Sequence, residues 1–326
     1  MIRIAMLSKW HVHAPGYAKT IQQSADAVIT CVWDEDAARG QAWAGELGVD
    51  FEPDLAKLLA RADVDAVVID TPTTDHLAVM MAAANAGKHI FTEKAMAPTL
   101  AECRQISEAI TRNGVKFCIS FPQLTWSLAQ FAKKAIDDEL LGRIHYMRMR
   151  NAHGGAFMGW LPNYWYDVTK AGGGAMMDLG CHPMYMASYL LGKPKRITSI
   201  FNTTCCPPPA DDNAVSVVEF ANQAIAVLET SFVSPISGDS FELLGTEGAI
   251  VSFGKDVKIR SKKFGVDGWV TPDKLPDPTP MPMRLWLDGI QNGTPIPFGP
   301  EQGEALTELL ENAYKSHQEQ RIVEIG

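Results

Sequence analysis

The chain has no Cys-x-x-Cys pair among its six cysteines, and the adjacent Cys205 and Cys206 are poorly placed for an easy bridge. That excludes a small disulfide scaffold and points to a reduced, cytoplasmic setting. No run of about 18 consecutive apolar residues occurs, so no spanning helix is expected. The N-terminus enters a strand-like run, Ile2 to Leu7, without a charged-then-apolar signal segment, and no membrane partner is expected. Clustered positive charge is also missing. The only lysine doublets are Lys133-Lys134 and Lys262-Lys263, and the formal net charge is -9. A phosphate-backbone ligand needs such a cluster, so nucleic acid is excluded as a partner. What is present is ordinary globular material: 46% hydrophobic and 21% charged residues, which rules out a disordered chain. At roughly 150 residues per domain, 326 residues make about two domains.

The first 121 residues alternate strand-like and helix-like segments. Strands are expected at 2–7, 28–33, 64–69, 88–92 and 115–120. Helices are expected from Pro15 to about Asp26, 36–47, 54–61, 76–86 and 100–113, several of them closed by glycine (Gly48, Gly87, Gly114). Continuous apolar strands between helices mean a parallel, doubly wound α/β sheet covered on both faces. Beyond Phe121 the pattern changes to a helix at about 126–140 and then period-2 strands at 143–151, 196–204, 214–220, 224–234, 241–244, 249–253 and 257–262. Ala221-Asn-Gln223 suggests a hairpin. Five prolines between Pro272 and Pro282 make an extended loop, and 301–317 has helical spacing. The expected architecture is a Rossmann-type domain, 1–121, followed by an α+β domain, 122–326, with a large, mostly antiparallel sheet.

Ligands of a doubly wound sheet bind beyond the carboxyl ends of its strands. The loop after the first strand should carry Gly-x-Gly-x-x-Gly, whose backbone approaches a pyrophosphate. Here those positions are Ser8, Trp10 and His13. Either the loop binds no dinucleotide, or the helix N-terminus near Pro15 and donors from Ser8, His11 or His13 replace the glycine contacts. The His11-Val-His13 pair alone does not make a metal site, because a third ligand is not placed by the sequence; no metal is assigned. Asp34 ends the second strand where an acid accepts from ribose hydroxyls, favouring NAD over NADP, whose 2′-phosphate it would repel. Thr71 and Pro72 turn at the same edge and His76 opens the next helix, as a cofactor contact or as a capping or packing residue. Glu93-Lys94 ends the following strand. A lysine there can hold a substrate oxygen, although Glu-Lys pairs are commonly surface pairs.

The segment from Ala171 to Tyr185 holds three successive glycines, Gly172 to Gly174, followed by a helix start. Asp178 and His182 lie four apart, which puts them on one helix face, and Pro183 leaves the Leu179 carbonyl without its usual helical donor. A carboxylate beside an imidazole is an acid/base arrangement, or a pair that only stabilises the helix. Upstream, Trp160, Asn163, Trp165, Tyr166 and Asp167 form an aromatic and polar segment. It suits stacking on sugar C–H faces and bonding to hydroxyls, or packing into a core.

Taken together, the string Asp65–Pro72, Ala86-Gly-Lys-His-Ile through Glu93-Lys94-Ala95, Leu141-Gly-Arg-Ile144, Gly172–His182, Leu287-Asp-Gly-Ile with Gly293-Thr-Pro, and Ala313–Ser316 resembles the glucose-fructose oxidoreductase / inositol dehydrogenase / rhizopine-catabolism (Gfo/Idh/MocA) family over nearly the whole chain. The family usually has Glu-Lys-Pro where this chain has Glu93-Lys94-Ala95. The resemblance implies an NAD(P)-dependent oxidoreductase acting on a secondary hydroxyl of a sugar, glycoside or cyclitol, with NAD preferred. It implies catalytic roles for Lys94, Asp178 and His182, and a homodimer or homotetramer formed through the second domain's sheet. Two further readings stand beside it: an NAD-dependent glycosidase or lyase working through transient oxidation of a ring carbon, and a non-catalytic binding protein.

Overall fold

The computed structural model describes residues 1–235, 238–265 and 267–326, which form two compact units. The first contains β1 (Ile2–Leu7), α1 (Ala14–Gln22), β2 (Ala27–Trp33), α2 (Ala37–Leu47), β3 (Asp50–Phe51), α3 (Leu55–Ala60), β4 (Ala66–Ile69), α4 (His76–Asn85), β5 (His89–Thr92), α5 (Leu100–Asn113) and β6 (Phe117–Ile119). The strands pair in the order β3-β2-β1-β4-β5-β6, all parallel. This is the dinucleotide-binding order, and its direction reverses between β1 and β4, so a ligand crevice opens there. β4 is buried at every position, as a strand covered on both faces must be.

Local chemistry sets the helix ends that shape this edge. Asp36 caps α2 by accepting from the backbone N–H groups of Ala38 and Arg39. Thr99 and Glu102 form a reciprocal capping box on α5, which ends on Gly114 at φ +63°.

The second unit contains α6 (Ser127–Asp137), β7 (Ile144–Ala152), α7 (Val168–Ala171), α8 (Ala175–Asp178), α9 (Cys181–Leu191), β8 (Pro194–Asn202), β9 (Asn213–Phe220), β10 (Ile225–Ser231), β11 (Ser240–Gly245), β12 (Gly248–Phe253) and β13 (Asp256–Ser261). α10 (Pro282–Asn292), α11 (Pro300–Glu319) and β14 (Val323–Glu324) complete the chain. The eight-stranded sheet runs β13-β12-β11-β7-β10-β9-β8-β14; β7 and β10 are parallel and the other neighbours antiparallel. Burial alternates along β9 and β13, so one face takes α8 and α9 and the other is exposed.

The expected division of the chain at a single cut differs from the observed one. Pro280–Thr307 groups with Met1–Ser120, and the second unit is Phe121–Thr279 with Glu308–Gly326. The cause is visible in α10, whose Trp286 packs on Phe91 of β5 with ring centroids 5.7 Å apart. Arg284 clamps Asp26 through two hydrogen bonds of 2.9 and 2.7 Å, and Ile119 N–H donates to Phe298 O.

Candidate functional site

In the first unit, the loop after β1 is tightly tied to its surroundings. Ser8, at the first glycine position, adopts φ +77°, the left-handed conformation that glycine adopts without cost. The backbone N–H groups of Ser8, Lys9, Trp10, His11, His13 and Ala14 donate to Trp33 O, Asp34 Oδ2, Ser8 Oγ, Asp70 O, His11 Nδ1 and His11 O, respectively. A glycine-rich loop would aim such donors at a diphosphate. Here they point inward, and Trp10 is buried.

Asp34 is buried and fully engaged. It accepts from Lys9 N–H (2.9 Å), Asp36 N–H (2.8 Å) and both arms of Arg39 (3.0 and 2.6 Å). Arg39 also reaches Ser8 Oγ at 3.3 Å. This Arg39 clamp had no place in the sequence reading; its only signal is a basic residue one helical turn inside α2.

At the end of β4, Asp70 is fully buried and neither carboxylate oxygen has a hydrogen-bond partner; buried Thr71 Oγ1 is in the same state. Burial, reinforced by the charge of Glu93, pushes the Asp70 carboxyl well above its usual range. His76 is also buried, but both ring nitrogens face backbone carbonyls: Nδ1 lies 2.9 Å from Ala95 O and Nε2 3.2 Å from Thr71 O. It ties the turn after β4, with Pro72, to the turn after β5. Burial lowers its pKa.

Glu93 and Lys94 end β5 with 1% and 5% exposure, so they are no surface pair. Burial works against the charge of Glu93. The imidazoles of His11 and His13, the His13 hydrogen bond and Lys94 outweigh it and hold the carboxyl well below its usual range. His13 Nδ1–H donates to Glu93 Oε1 at 2.9 Å, Tyr17 O–H donates to the same oxygen, and Tyr17 meets Ser120 Oγ at 2.7 Å. The Lys94–Ala95 peptide is cis.

In the second unit, Asp178 and His182 do not share one helix. α8 ends at Asp178 and α9 begins at Cys181. Gly180 N–H turns back to Ala175 O, and the Leu179 carbonyl accepts His182 N–H at 3.1 Å, so that carbonyl is not left over as the sequence suggested. His182 is buried, and its Nδ1 lies 2.7 Å from Tyr185 Oη. Tyr185 in turn accepts Gln123 N–H at 3.3 Å and stacks on Phe121. Tyr185 stands three residues after His182, a spacing that was legible but went unused.

The Gly172–Gly174 run has a structural task. Asp211 Oδ1 accepts from Gly174 N–H (3.0 Å) and Tyr314 O–H (2.7 Å), and Asp211 Oδ2 from Met176 N–H (2.8 Å). A Cβ on Gly174 would sit 2.0 Å from Asp211 O.

The aromatic segment divides. Trp160 and Asn163 are exposed, and Trp160 packs near His153. Trp165 is buried, and Tyr166 is half-buried with burial and Cys206 raising its pKa. Asp167 caps α7, accepting from Thr169 N–H at 3.0 Å and its hydroxyl at 2.6 Å.

A family profile described as "Oxidoreductase family, NAD-binding Rossmann fold" matches residues 12–121, and one described as "GFO/IDH/MocA C-terminal domain" matches residues 129–251. The chain belongs to the Gfo/Idh/MocA oxidoreductase family. Its first unit is accordingly an NAD-binding Rossmann fold. Among Gfo/Idh/MocA relatives, the scyllo-inositol 2-dehydrogenase (NAD(+)) of Bacillus subtilis (strain 168) is 32% identical over 69% of this chain and 66% of its own length. The inositol 2-dehydrogenase of Rhizobium meliloti (strain 1021) is 26% identical over 95% of both. For the first of these, the match therefore spans just under two thirds of the relative's length. A solved levoglucosan dehydrogenase in complex with NADH and levoglucosan superposes with a TM-score of 0.87 at 20% identity, covering 99% of each chain, a likeness of fold. No disulfide forms and no helix is long and apolar enough to cross a membrane among the described residues.

Proposed function

We propose that the protein is an NAD-dependent dehydrogenase that oxidises a secondary hydroxyl of a sugar, glycoside or cyclitol. The observation that carries this reading is Lys94, a lysine 5% exposed at the carboxyl end of β5, on the ligand-binding edge of the 3-2-1-4-5-6 sheet. Lysine is almost never buried without a partner or a task. Inositol and levoglucosan dehydrogenases among the relatives support the substrate class.

The residues present fit one side of the cofactor and depart from the usual pattern on the other. Asp34 ends β2, where a ribose acceptor is expected, with its carboxylate buried and held by Arg39, and the orphaned oxygens of Asp70 and Thr71 are buried polar atoms that a bound group would satisfy. For a diphosphate, the N–H groups of Ser8, Lys9, Trp10, His11 and His13 are already spent within the protein, so binding at this loop would rely mainly on side chains. When bound, NAD supplies the hydride acceptor. Lys94 Nζ would hold the substrate oxygen and stabilise negative charge developing on it. His182 would take the hydroxyl proton at Nε2, which requires the ring proton to sit on Nδ1 and donate to Tyr185 Oη. Asp178 would orient these groups. Trp160, the most exposed aromatic of its segment, and Asn163 are offered as substrate contacts.

The test is a panel of inositols, sugars and anhydrosugars assayed for reduction of NAD and NADP. NAD-linked turnover should appear and fall by about two or more orders of magnitude in Lys94→Ala and in His182→Ala. Near wild-type turnover in both variants would remove the site assignment.

A further inference from the structure

We propose that His11, His13 and Glu93 bind one divalent transition-metal ion of the zinc class. The third donor that the His11-Val-His13 pair lacks in sequence arrives from β5, 80 residues beyond His13. One ligand atom from each residue lies within 4.8 Å of the others. A tetrahedral shell with bonds of about 2.0–2.1 Å sets its donors about 3.3 Å apart. The two measured edges bracket that length: His13 Nδ1 to Glu93 Oε1 is 2.9 Å, and His11 Nε2 to Glu93 Oε2 is 3.8 Å. These edges run to different oxygens of Glu93, so completing the shell draws the donors in from spacings of up to 4.8 Å.

The backbone explains why two histidines two apart face the same way. An extended strand would also put residues two apart on one face, but here a turn does it and brings the rings closer. His13 N–H donates to His11 Nδ1, Ala14 N–H to His11 O, and Gly16 and Tyr17 N–H to His13 O. The ring centroids end 4.6 Å apart. Glu93 is oriented by partners outside the triad, as metal-binding carboxylates usually are: Tyr17 O–H, itself bonded to Ser120, and the Lys94 N–H at 3.1 Å.

Coordination has a proton balance. The metal takes the place of the proton on His13 Nδ1: from a neutral ring that proton moves to Nε2, and from an imidazolium it leaves to solvent. His11 bound through Nε2 carries its proton on Nδ1, so the 3.2 Å contact with His13 N–H opens. Two imidazoles with one carboxylate favour zinc, cobalt or nickel over magnesium or calcium, which prefer all-oxygen shells. Three protein donors leave a position for an outside oxygen ligand. This inference does not depend on the dehydrogenase reading, because the test needs neither nucleotide nor substrate.

The full-length protein is stripped with chelator, dialysed against Zn(II) or Co(II), and assayed for metal content and for the visible absorption of bound Co(II). The expected result is one equivalent per chain with a Co(II) spectrum of low coordination number. His13→Ala, at a half-exposed position that should still fold, should abolish both. Tyr17→Phe should weaken binding about 10–100-fold, as loss of an orienting partner does. His145→Ala, exposed on β7, should retain full binding. Retention of well under one equivalent by the folded wild type would overturn the proposal. So would unchanged retention in a His11→Ala, His13→Ala double variant, or equal loss in His145→Ala.

Discussion

In the proposed mechanism, Tyr185 is the side chain that would set which nitrogen of His182 serves as base. Its oxygen accepts Gln123 N–H and has a second lone pair able to accept the Nδ1 proton, which would put the ring's other lone pair on Nε2. Tyr185→Phe should lower kcat about tenfold with KM little changed, and should shift the acidic limb of the pH–rate profile; an unchanged profile would leave Tyr185 a packing residue. Asp34 offers a second check. Its carboxylate restrains the Arg39 guanidinium, so Asp34→Ser should release that charge toward a 2′-phosphate. The ratio of kcat/KM for NAD over NADP should fall about tenfold or more, the worth of roughly one charge-assisted hydrogen bond. Lys94, Asp178 and His182 were legible because they stand in short, ordered strings. Arg39, Tyr17 and the isolation of Asp70 were not. Each depends on groups brought together by sheet order, and Tyr17 meets Glu93 across 76 residues.

Among the elements, the break between α8 and α9 and the cradle beneath it carry the clearest consequences. Gly174→Ala would drive a Cβ into the backbone of Asp211, and unlike a flexible side chain that backbone cannot yield cheaply. The substitution should cost about 1–3 kcal/mol, read as a fall in Tm. α10 is held to the first unit by Arg284 and Asp26. The Arg284 hydrogen bonds, then Ser24, hold the Asp26 carboxyl below its usual range. A depressed carboxylate contributes stability that is complete above its unfolded value of about 3.9 and fades as pH falls through the lower native one. Arg284→Met should therefore cost about 1 kcal/mol near neutral pH, and its Tm deficit should begin to shrink as pH falls below about 4. α5 could be read to the residue because Thr99, Glu102 and Gly114 mark its ends. α10 could not be read, since the proline-rich stretch before it hides its start. β3 and β14, two residues each, are too short to show any period.

The doubly wound order and the large sheet followed from periodicity, because strands covered on both faces and strands covered on one carry different patterns. The return of Pro280–Thr307 to the first unit carries no such pattern, for a helix reads alike whichever sheet it covers. The exposed face of the eight-stranded sheet bears Ile200 and Val215, directly paired across β8 and β9, with Ile225 on β10. We propose this face as the contact between copies of the chain. Ile200→Lys with Val215→Lys should convert a dimer or tetramer to single chains in sedimentation, whereas an unchanged mass would place the contact elsewhere. The account as a whole rests on a hydride passing from a substrate carbon to NAD. That transfer is read by turning over a cyclitol or sugar deuterated at its carbinol carbons and weighing the nicotinamide product. The prediction is one deuterium in NADH per hydroxyl oxidised, lost in His182→Ala. Cleavage of a glycosidic bond with no net NADH, or no deuterium in any NADH formed, would contradict it.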